Sequence, residues 1–362
     1  MPDARDQDFM RRALQLARNG LYTTHPNPRV GCVLVKDDTI VGEGWHRRTG
    51  EPHAEIHALH AAGDQARGAT AYITLEPCCH HGRTPPCTNA LLAAGIGRVV
   101  VAMEDPSASV AGNGLAQLRA TGVTVETGML EHEARDLNPG FILRMTEGRP
   151  WVRCKLAMSL DGRTALASGE SQWITGIEAR HDVHKLRATS SAIMTGVGTI
   201  LADNPSLNVR LGEASVRQPL RVVLDSELKT PAQAKILALP GDVLIMTAVS
   251  DAERQARLQA AGADVIILPR TDIGLDLHAV LMELARRQIN EVHLECGATL
   301  AGAMLQAGLL DELIIYMAPL LLGDSARGLF HLPDIQHMHE RISLTIIDIR
   351  PIGQDWRITA RP

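Results

Sequence analysis

Three times between residues 55 and 126 a helix-length segment gives way to a short strand-length one, and this alternation limits the fold more than any other feature. Helices over Glu55–Ala62, Thr88–Ala94 and Leu115–Ala120 are followed by strand-length runs at Ala71–Leu75, Val99–Met103 and Val123–Glu126. Strands that return through helices pair in parallel, so the pattern predicts an α/β sheet covered by helices on both faces. Upstream, Phe9, Met10, Ala13, Leu14 and Ala17 recur at helical spacing and stop at Asn19-Gly20. Val30–Val35 reads as a strand that turns at Asp37-Asp38 into Thr39–Val41. A polar helix over Glu131–Met145 closes the unit, and Glu147-Gly148-Arg149-Pro150 reads as a linker.

A second unit begins with a strand at Trp151–Ala157, a helix at Ile177–Arg187 and a strand at Ser191–Thr195. Further strands are expected at Leu220–Leu224, Val243–Met246, Val265–Leu268, Val292–Glu295 and Leu313–Ala318. Ile342–Ile349 and Trp356–Thr359 have no helix between them and predict an antiparallel edge. The 362 residues exceed the usual single domain, and no internal repeat relates the halves. Two different domains are expected, 1–148 and 149–362.

Composition mainly excludes. With 36 basic and 41 acidic side chains (net −5) and 3% aromatics, the chain lacks the charge and stacking surface of a nucleic-acid binder. The N-terminal segment is charged throughout, and the longest apolar run, Leu313–Leu322, is half a bilayer span and contains Pro319. A cytoplasmic protein with no membrane partner is the expectation.

Of six cysteines, Cys78, Cys79 and Cys87 crowd into ten residues among histidines, a pattern of metal ligation rather than of disulfides. Cys32, Cys154 and Cys296 lie in or beside apolar runs and read as small buried hydrophobes. A zinc ion that activates water needs three protein ligands, one open position and a nearby carboxylate that carries protons without binding the metal. Zinc deaminases meet this with H-x-E and a later P-C pair of motifs, and the chain has His53-Ala54-Glu55, Pro77-Cys78 and Pro86-Cys87 in that order. The gap from Cys78 to Cys87 is longer than the usual two residues, which leaves Cys79 and His81 as competing ligands. Cys78 is preferred because it follows Pro77 at a strand end, and Cys87 because a helix start favours its thiolate. A purely structural zinc that adds His80 or His81 as a fourth ligand is the alternative. Asn27, held between Pro26 and Pro28, is placed to present its amide to a heterocycle, with a simple turn role as its alternative.

Taken together, THPNPRVG (24–31), HAE (53–55) and TLEPCCHHGRTPPC (74–87) resemble the bifunctional riboflavin-biosynthesis deaminase–reductase family. KLAMSLDGR (155–163), SGESQWIT (168–175), LADNPSLNVR (201–210) and LLGDSARG (321–328) extend the resemblance over essentially the whole chain. It implies an N-terminal cytidine-deaminase-like three-layer α/β/α domain and a C-terminal dihydrofolate-reductase-like α/β domain. The first would hydrolytically deaminate 2,5-diamino-6-(5-phosphoribosylamino)pyrimidin-4(3H)-one. The second would use NADPH to reduce the ribosyl group, giving 5-amino-6-(5-phosphoribitylamino)uracil.

The resemblance implies one Zn2+ per chain on His53, Cys78 and Cys87, with Glu55 as proton shuttle. It points to Ala157, Trp173, Thr199, Asp203, Ser226 and the turn Gly297, Ala298, Thr299, Leu300, Ala301, Gly302 and Ala303 as neighbours of NADPH. Ser171, Arg187, Leu207, Arg210 and Glu295 fall to the phosphoribosylaminopyrimidine substrate, and the resemblance also allows a homodimer. Cys79 stands where many relatives have serine, and Ala157 and Cys296 where glycine is common. Small residues at the strand-to-helix turns Cys296–Thr299 and Thr195–Thr199 suit backbone contact with a diphosphate, though nothing matches GxGxxG. Arg187 and Arg210 are expected on the sugar phosphate, and Glu295 on ribose hydroxyls or the imine nitrogen.

Overall fold

The computed structural model describes residues 4–80, 85–107, 110–212, 217–272 and 274–362. The chain divides into two compact units, Met1–Gly148 and Arg149–Pro362.

In the first unit the order is α1 (Ala4–Ala17), β1 (Gly31–Lys36), β2 (Thr39–Trp45), α2 (Ala54–Ala62), β3 (Thr70–Ile73), α3 (Cys87–Ala93), β4 (Arg98–Val101), α4 (Asn113–Ala120), β5 (Thr124–Thr127), α5 (Glu131–Leu137) and α6 (Pro139–Glu147). The sheet runs β2-β1-β3-β4-β5, with β1 antiparallel to both neighbours and β3, β4 and β5 parallel. Strand alternation sorts the side chains into two cores. Cys32, Leu34, Ala71, Ile73, Val99 and Val101 face α2, α3 and α4, while Val33, Val35, Tyr72 and Val100 face α1, α5 and α6. The result is three layers, α/β/α.

Two expectations change here. The hairpin turn at Asp37-Asp38 has positive φ at both residues, as a tight two-residue turn requires, but β2 runs on past Val41 to Trp45. Its glycines allow this: a Cβ on Gly44 would stand 2.2 Å from the Ala54 carbonyl oxygen, so α2 lies directly on the strand. The single helix expected over Glu131–Met145 is two helices, broken at Asn138 before Pro139. The broken turn frees the Asn138 side chain to accept from Arg29 N at 2.8 Å and donate to Arg29 O at 2.9 Å.

The second unit contains β6 (Trp151–Ser159), β7 (Arg163–Ala165), α7 (Ile177–Thr189), β8 (Ala192–Gly196), α8 (Val197–Asp203), β9 (Leu220–Leu224), α9 (Lys235–Ala238), β10 (Val243–Thr247), α10 (Ala252–Ala260), β11 (Ala263–Ile267), β12 (Arg270–Thr271), β13 (Gly274–Leu275), α11 (Leu277–Arg286), β14 (Glu291–Glu295), α12 (Ala298–Gln306), β15 (Glu312–Ala318), β16 (Arg327–Gly328), β17 (Thr345–Ile352) and β18 (Asp355–Arg361). Its main sheet runs β11-β10-β9-β8-β14-β6-β15-β18-β17, parallel as far as β15 and antiparallel over the last two strands. Val152, Cys154 and Leu156 of β6 join Val292 and Leu294 of β14 in a core under α11 and α12. Their alternates, Arg153 and Lys155 on β6 with His293 and Glu295 on β14, put polar and charged groups on the opposite face, beside α7.

Candidate active sites

In the first unit the chemistry gathers where α2 and α3 begin. His53 is the N-cap of α2, and Glu55 lies in its first turn. Cys87 is the first residue of α3, not the residue before it, with Pro86 as N-cap. Pro77-Cys78 follows the carboxyl end of β3, the edge at which open α/β sheets take ligands. His53 Nδ1 lies 3.6 Å from Cys78 Sγ and 3.3 Å from Cys87 Sγ, and the three donor atoms all fall within 4.8 Å of one another. Among the described residues this is the one metal-ready His/Cys/Asp/Glu group. It brings in Cys78 rather than Cys79; His80 is exposed and outside the group, and His81 lies outside the described residues.

The donor set fits zinc: one imidazole and two thiols, three ligands with a fourth tetrahedral position left over. A hydrogen bond from Cys87, with His53 beside it, holds the Cys78 thiol down to about 4, and the same shared proton pushes Cys87 up. The pair therefore keeps one proton between two sulfurs, which a divalent cation would displace. Glu55 is 3% exposed and its Oε2 has no hydrogen-bond partner among the described residues. Burial raises its pKa, which suits a group that must accept a proton and hand it on.

Asn27 is fixed by a residue that sequence reasoning missed. Its Nδ2 lies 3.1 Å from His46 Nε2, while His46 Nδ1 lies 3.3 Å from the Pro52 carbonyl oxygen. Burial lowers the His46 pKa, so the neutral ring donates at Nδ1 and accepts from Asn27 at Nε2. That leaves the Asn27 side-chain carbonyl as the group to meet a ring edge.

In the second unit the expected cofactor residues leave the carboxyl ends of four adjacent parallel strands, β9, β8, β14 and β6. Ser226 follows β9, Thr199 and Asp203 lie on α8 after β8, Gly297 follows β14, and Ala157 lies near the end of β6. Gly196 and Gly297 are N-caps of α8 and α12, and a Cβ on Gly196 would come 3.4 Å from Leu300, so the two helix starts are neighbours. A Cβ on Gly198 or Gly297 would meet nothing within 4 Å, which leaves an open cradle of backbone amides for a diphosphate. The rest of the 297–303 segment divides: Gly297–Leu300 is at least partly open, whereas Ala301 and Gly302 are buried. Gly302 is glycine for packing, since its Cβ would stand 2.1 Å from the His331 carbonyl oxygen. Trp173 is 69% exposed with the Arg180 guanidinium 4.6 Å from its ring, and Ser171 is half-buried two residues before it.

Arg187, expected on the sugar phosphate, is paired with a carboxylate and a carbonyl. Its Nε and Nη2 donate to the two Glu295 oxygens at 2.5 and 2.9 Å, and Nη1 donates to the Asn208 carbonyl at 2.9 Å. Although burial opposes it, the Arg187 charge holds the Glu295 carboxyl well below its usual range. Leu207 is buried and Arg210 exposed, on the segment that follows α8.

The family models divide at the same place as the fold. Residues 150–358 match the RibD C-terminal domain, and residues 3–103 match the cytidine and deoxycytidylate deaminase zinc-binding region. The chain is 50% identical over 361 residues to the riboflavin biosynthesis protein RibD of Escherichia coli (strain K12), covering 97% of each. It belongs to the RibD family. Among solved structures it is similar to Acinetobacter baumannii RibD, form 1 (TM-score 0.92, 47% identity, 99% of each chain). It is also similar to a diaminohydroxyphosphoribosylaminopyrimidine deaminase/5-amino-6-(5-phosphoribosylamino)uracil reductase from Thermotoga maritima (TM-score 0.88, 33% identity, 99% of each chain). The RibD architecture, a cytidine-deaminase-like zinc domain followed by a dihydrofolate-reductase-like α/β domain, is that of this chain, and Zn2+ and NADPH are its cofactors.

Within the RibD reductase half, two further residues escaped the sequence reading. Lys155 is half-buried on β6, its Nζ 5.9 Å from the Tyr316 ring, and burial lowers its pKa despite the Glu295 charge nearby. His293 is fully buried, with Nε2 3.3 Å from Glu295 Oε1. A signal existed for both: polar and charged residues alternating with core residues in Arg153-Cys154-Lys155 and His293-Leu294-Glu295 mark strands whose second face is polar.

Proposed function

We propose that residues 1–148 deaminate 2,5-diamino-6-(5-phosphoribosylamino)pyrimidin-4(3H)-one by hydrolysis. Residues 149–362 then reduce the ribosyl group with NADPH, yielding 5-amino-6-(5-phosphoribitylamino)uracil. The observation that carries this is the buried Glu55 carboxylate beside the converged His53, Cys78 and Cys87 donors. His53, Cys78 and Cys87 hold the ion, which when bound supplies the Lewis acidity that makes water reactive at neutral pH. Glu55 would carry two protons in turn, one from that water to the ring nitrogen and a second from the hydroxyl then on the ring carbon to the departing ammonia. Asn27, oriented by neutral His46, accepts from the pyrimidine edge.

For reduction, NADPH supplies the hydride, and the chain supplies binding and orientation. Gly297–Leu300 and the start of α8 receive the diphosphate, with Ala157, Trp173, Thr199, Asp203 and Ser226 around the cofactor and Ala301–Ala303 supporting the turn. Glu295, kept ionised by Arg187, accepts from ribose hydroxyls, with Lys155 beside it. Ser171, Leu207 and Arg210 complete the substrate contacts.

Two coarser features support the setting. Among the described residues no helix is long and apolar enough to cross a membrane, and all six cysteines are free, which suits a reducing cytoplasm. The edge strand β17 exposes Ile346, Ile347 and Ile349 at 50–59%, a surface that a homodimer would cover.

The test is an assay of the full chain with the diamino-pyrimidine phosphate, with and without NADPH. Ammonia release without cofactor, and NADPH oxidation only after deamination, is the expected result. Ammonia without subsequent NADPH oxidation would reduce the claim to a deaminase.

A further inference from the structure

The reductase reading needs a phosphate-binding group, and one of the two arginines expected to provide it, Arg187, already has most of its donors engaged. Three of the five donors of that guanidinium are spent on Glu295 and the Asn208 carbonyl. The second, Arg210, faces an imidazole. His184 lies on α7, three residues before Arg187 and on the same side of the helix. Its Nδ1 is 3.2 Å from the Arg210 backbone N, and its Nε2 is 3.3 Å from Arg210 Nη2.

These two contacts cannot both be hydrogen bonds. A neutral imidazole has one lone pair, and the backbone N–H of Arg210 donates to it at Nδ1, so the ring proton sits on Nε2. A guanidinium nitrogen carries only donors. Nε2–H and Nη2–H therefore converge with no acceptor between them among the described residues. Two donors that face each other are satisfied by an acceptor oxygen placed between them, and an anionic oxygen is held there more strongly than a neutral one.

We propose that His184 is a substrate-binding residue whose Nε2–H, together with the Arg210 guanidinium, grips the phosphate of the phosphoribosylamino group in the reductase step. The claim rests on the reductase reading above and adds a residue that it lacks. Burial, then the Arg187 and Arg210 charges, push the ring down to about 4, so it is neutral when the anion arrives. Arg187 and His181 of α7, Arg210 after α8 and Glu295 at the end of β14 are the charged and titratable groups around it. The ring also holds the Arg210 backbone, so one side chain fixes the arginine and contributes a donor of its own.

The experiment compares wild type, His184→Asn and His184→Gln at saturating NADPH, using the deaminated substrate and its dephosphorylated counterpart. Asparagine retains an acceptor at the Nδ1 position and deletes the Nε2 donor. Glutamine offers an amide donor near Nε2. His184→Asn is expected to raise KM for the phosphorylated substrate roughly ten- to hundred-fold, with kcat and the dephosphorylated substrate unaffected. His184→Gln should recover part of the loss. An unchanged KM, or an equal rise for both substrates, overturns the proposal. If wild type oxidises no NADPH with either substrate, the reductase reading itself fails. Equilibrium binding of ribose 5-phosphate against ribose then decides: a preference for the phosphate that His184→Asn erases supports the site, and its persistence in the variant overturns it.

Discussion

The two halves of this RibD-family chain handle chemistry in opposite ways. In the first unit side chains carry it: an imidazole, two thiols and a carboxylate converge at two helix starts. In the second, the proposed cofactor cradle is largely main chain, two adjacent helix N-termini with open space at Gly198 and Gly297. There the charged side chains first satisfy one another, as Arg187 does Glu295. Side-chain chemistry demands particular residue types at particular spacings. Backbone chemistry demands only that nothing stand in the way.

The sharpest way to break the contrast is at the metal. Cys78→Ser should empty the site and abolish ammonia release, while reduction of substrate already deaminated continues; metal analysis of the purified protein and the split assay read both. Loss of both activities would mean that the units do not work separately. Next, Glu55→Gln should retain zinc yet slow deamination by about 10²–10⁴-fold, again sparing reduction. Absence of zinc in that variant would make Glu55 a ligand.

In the second unit the expected effects fall on stability as much as on rate. Glu295→Gln leaves the Arg187 charge buried without its partner, and should cost about 3 kcal/mol in denaturant unfolding of that unit. The carboxylate's folded-state pKa lies below its unfolded one, so its stabilisation is fully present above the unfolded value of about 4.3 and is lost as pH falls from there through the lower folded-state value. The variant should flatten that acid slope. The smallest effect belongs to Gly302→Ala, about 1–3 kcal/mol of strain from a methyl pressed on the His331 carbonyl. A larger loss of NADPH affinity than of stability would move Gly302 from packing into the cofactor site.

The same contrast explains what the sequence made legible. The alternation of helix and strand from Glu55 onward carried the sheet, because the central strands β3 and β4 bury side chains on both faces. His53, Cys78 and Cys87 stood out because few structural needs would place those residue types in that order. The break at Asn138 was hidden because the apolar spacing continues through it, and only the distant Arg29 backbone accounts for the asparagine. The pairing of Arg187 with Glu295 was out of sight because the two lie 108 residues apart. His184 was passed over because a lone histidine on a helix says nothing until the facing donor is known.

One carboxylate outside the zinc cluster has a consequence of its own. Glu76, two residues before Cys78, receives the backbone amides of Asp105, Gly112, Gly114 and Leu115. The bite of the metal site is thus set by a strut that never touches the ion: Cys78 cannot drift without dragging the start of α4 with it. A pocket tied down in this way is prepared before its cation arrives, so the apoprotein should hold the ligand spacing on its own.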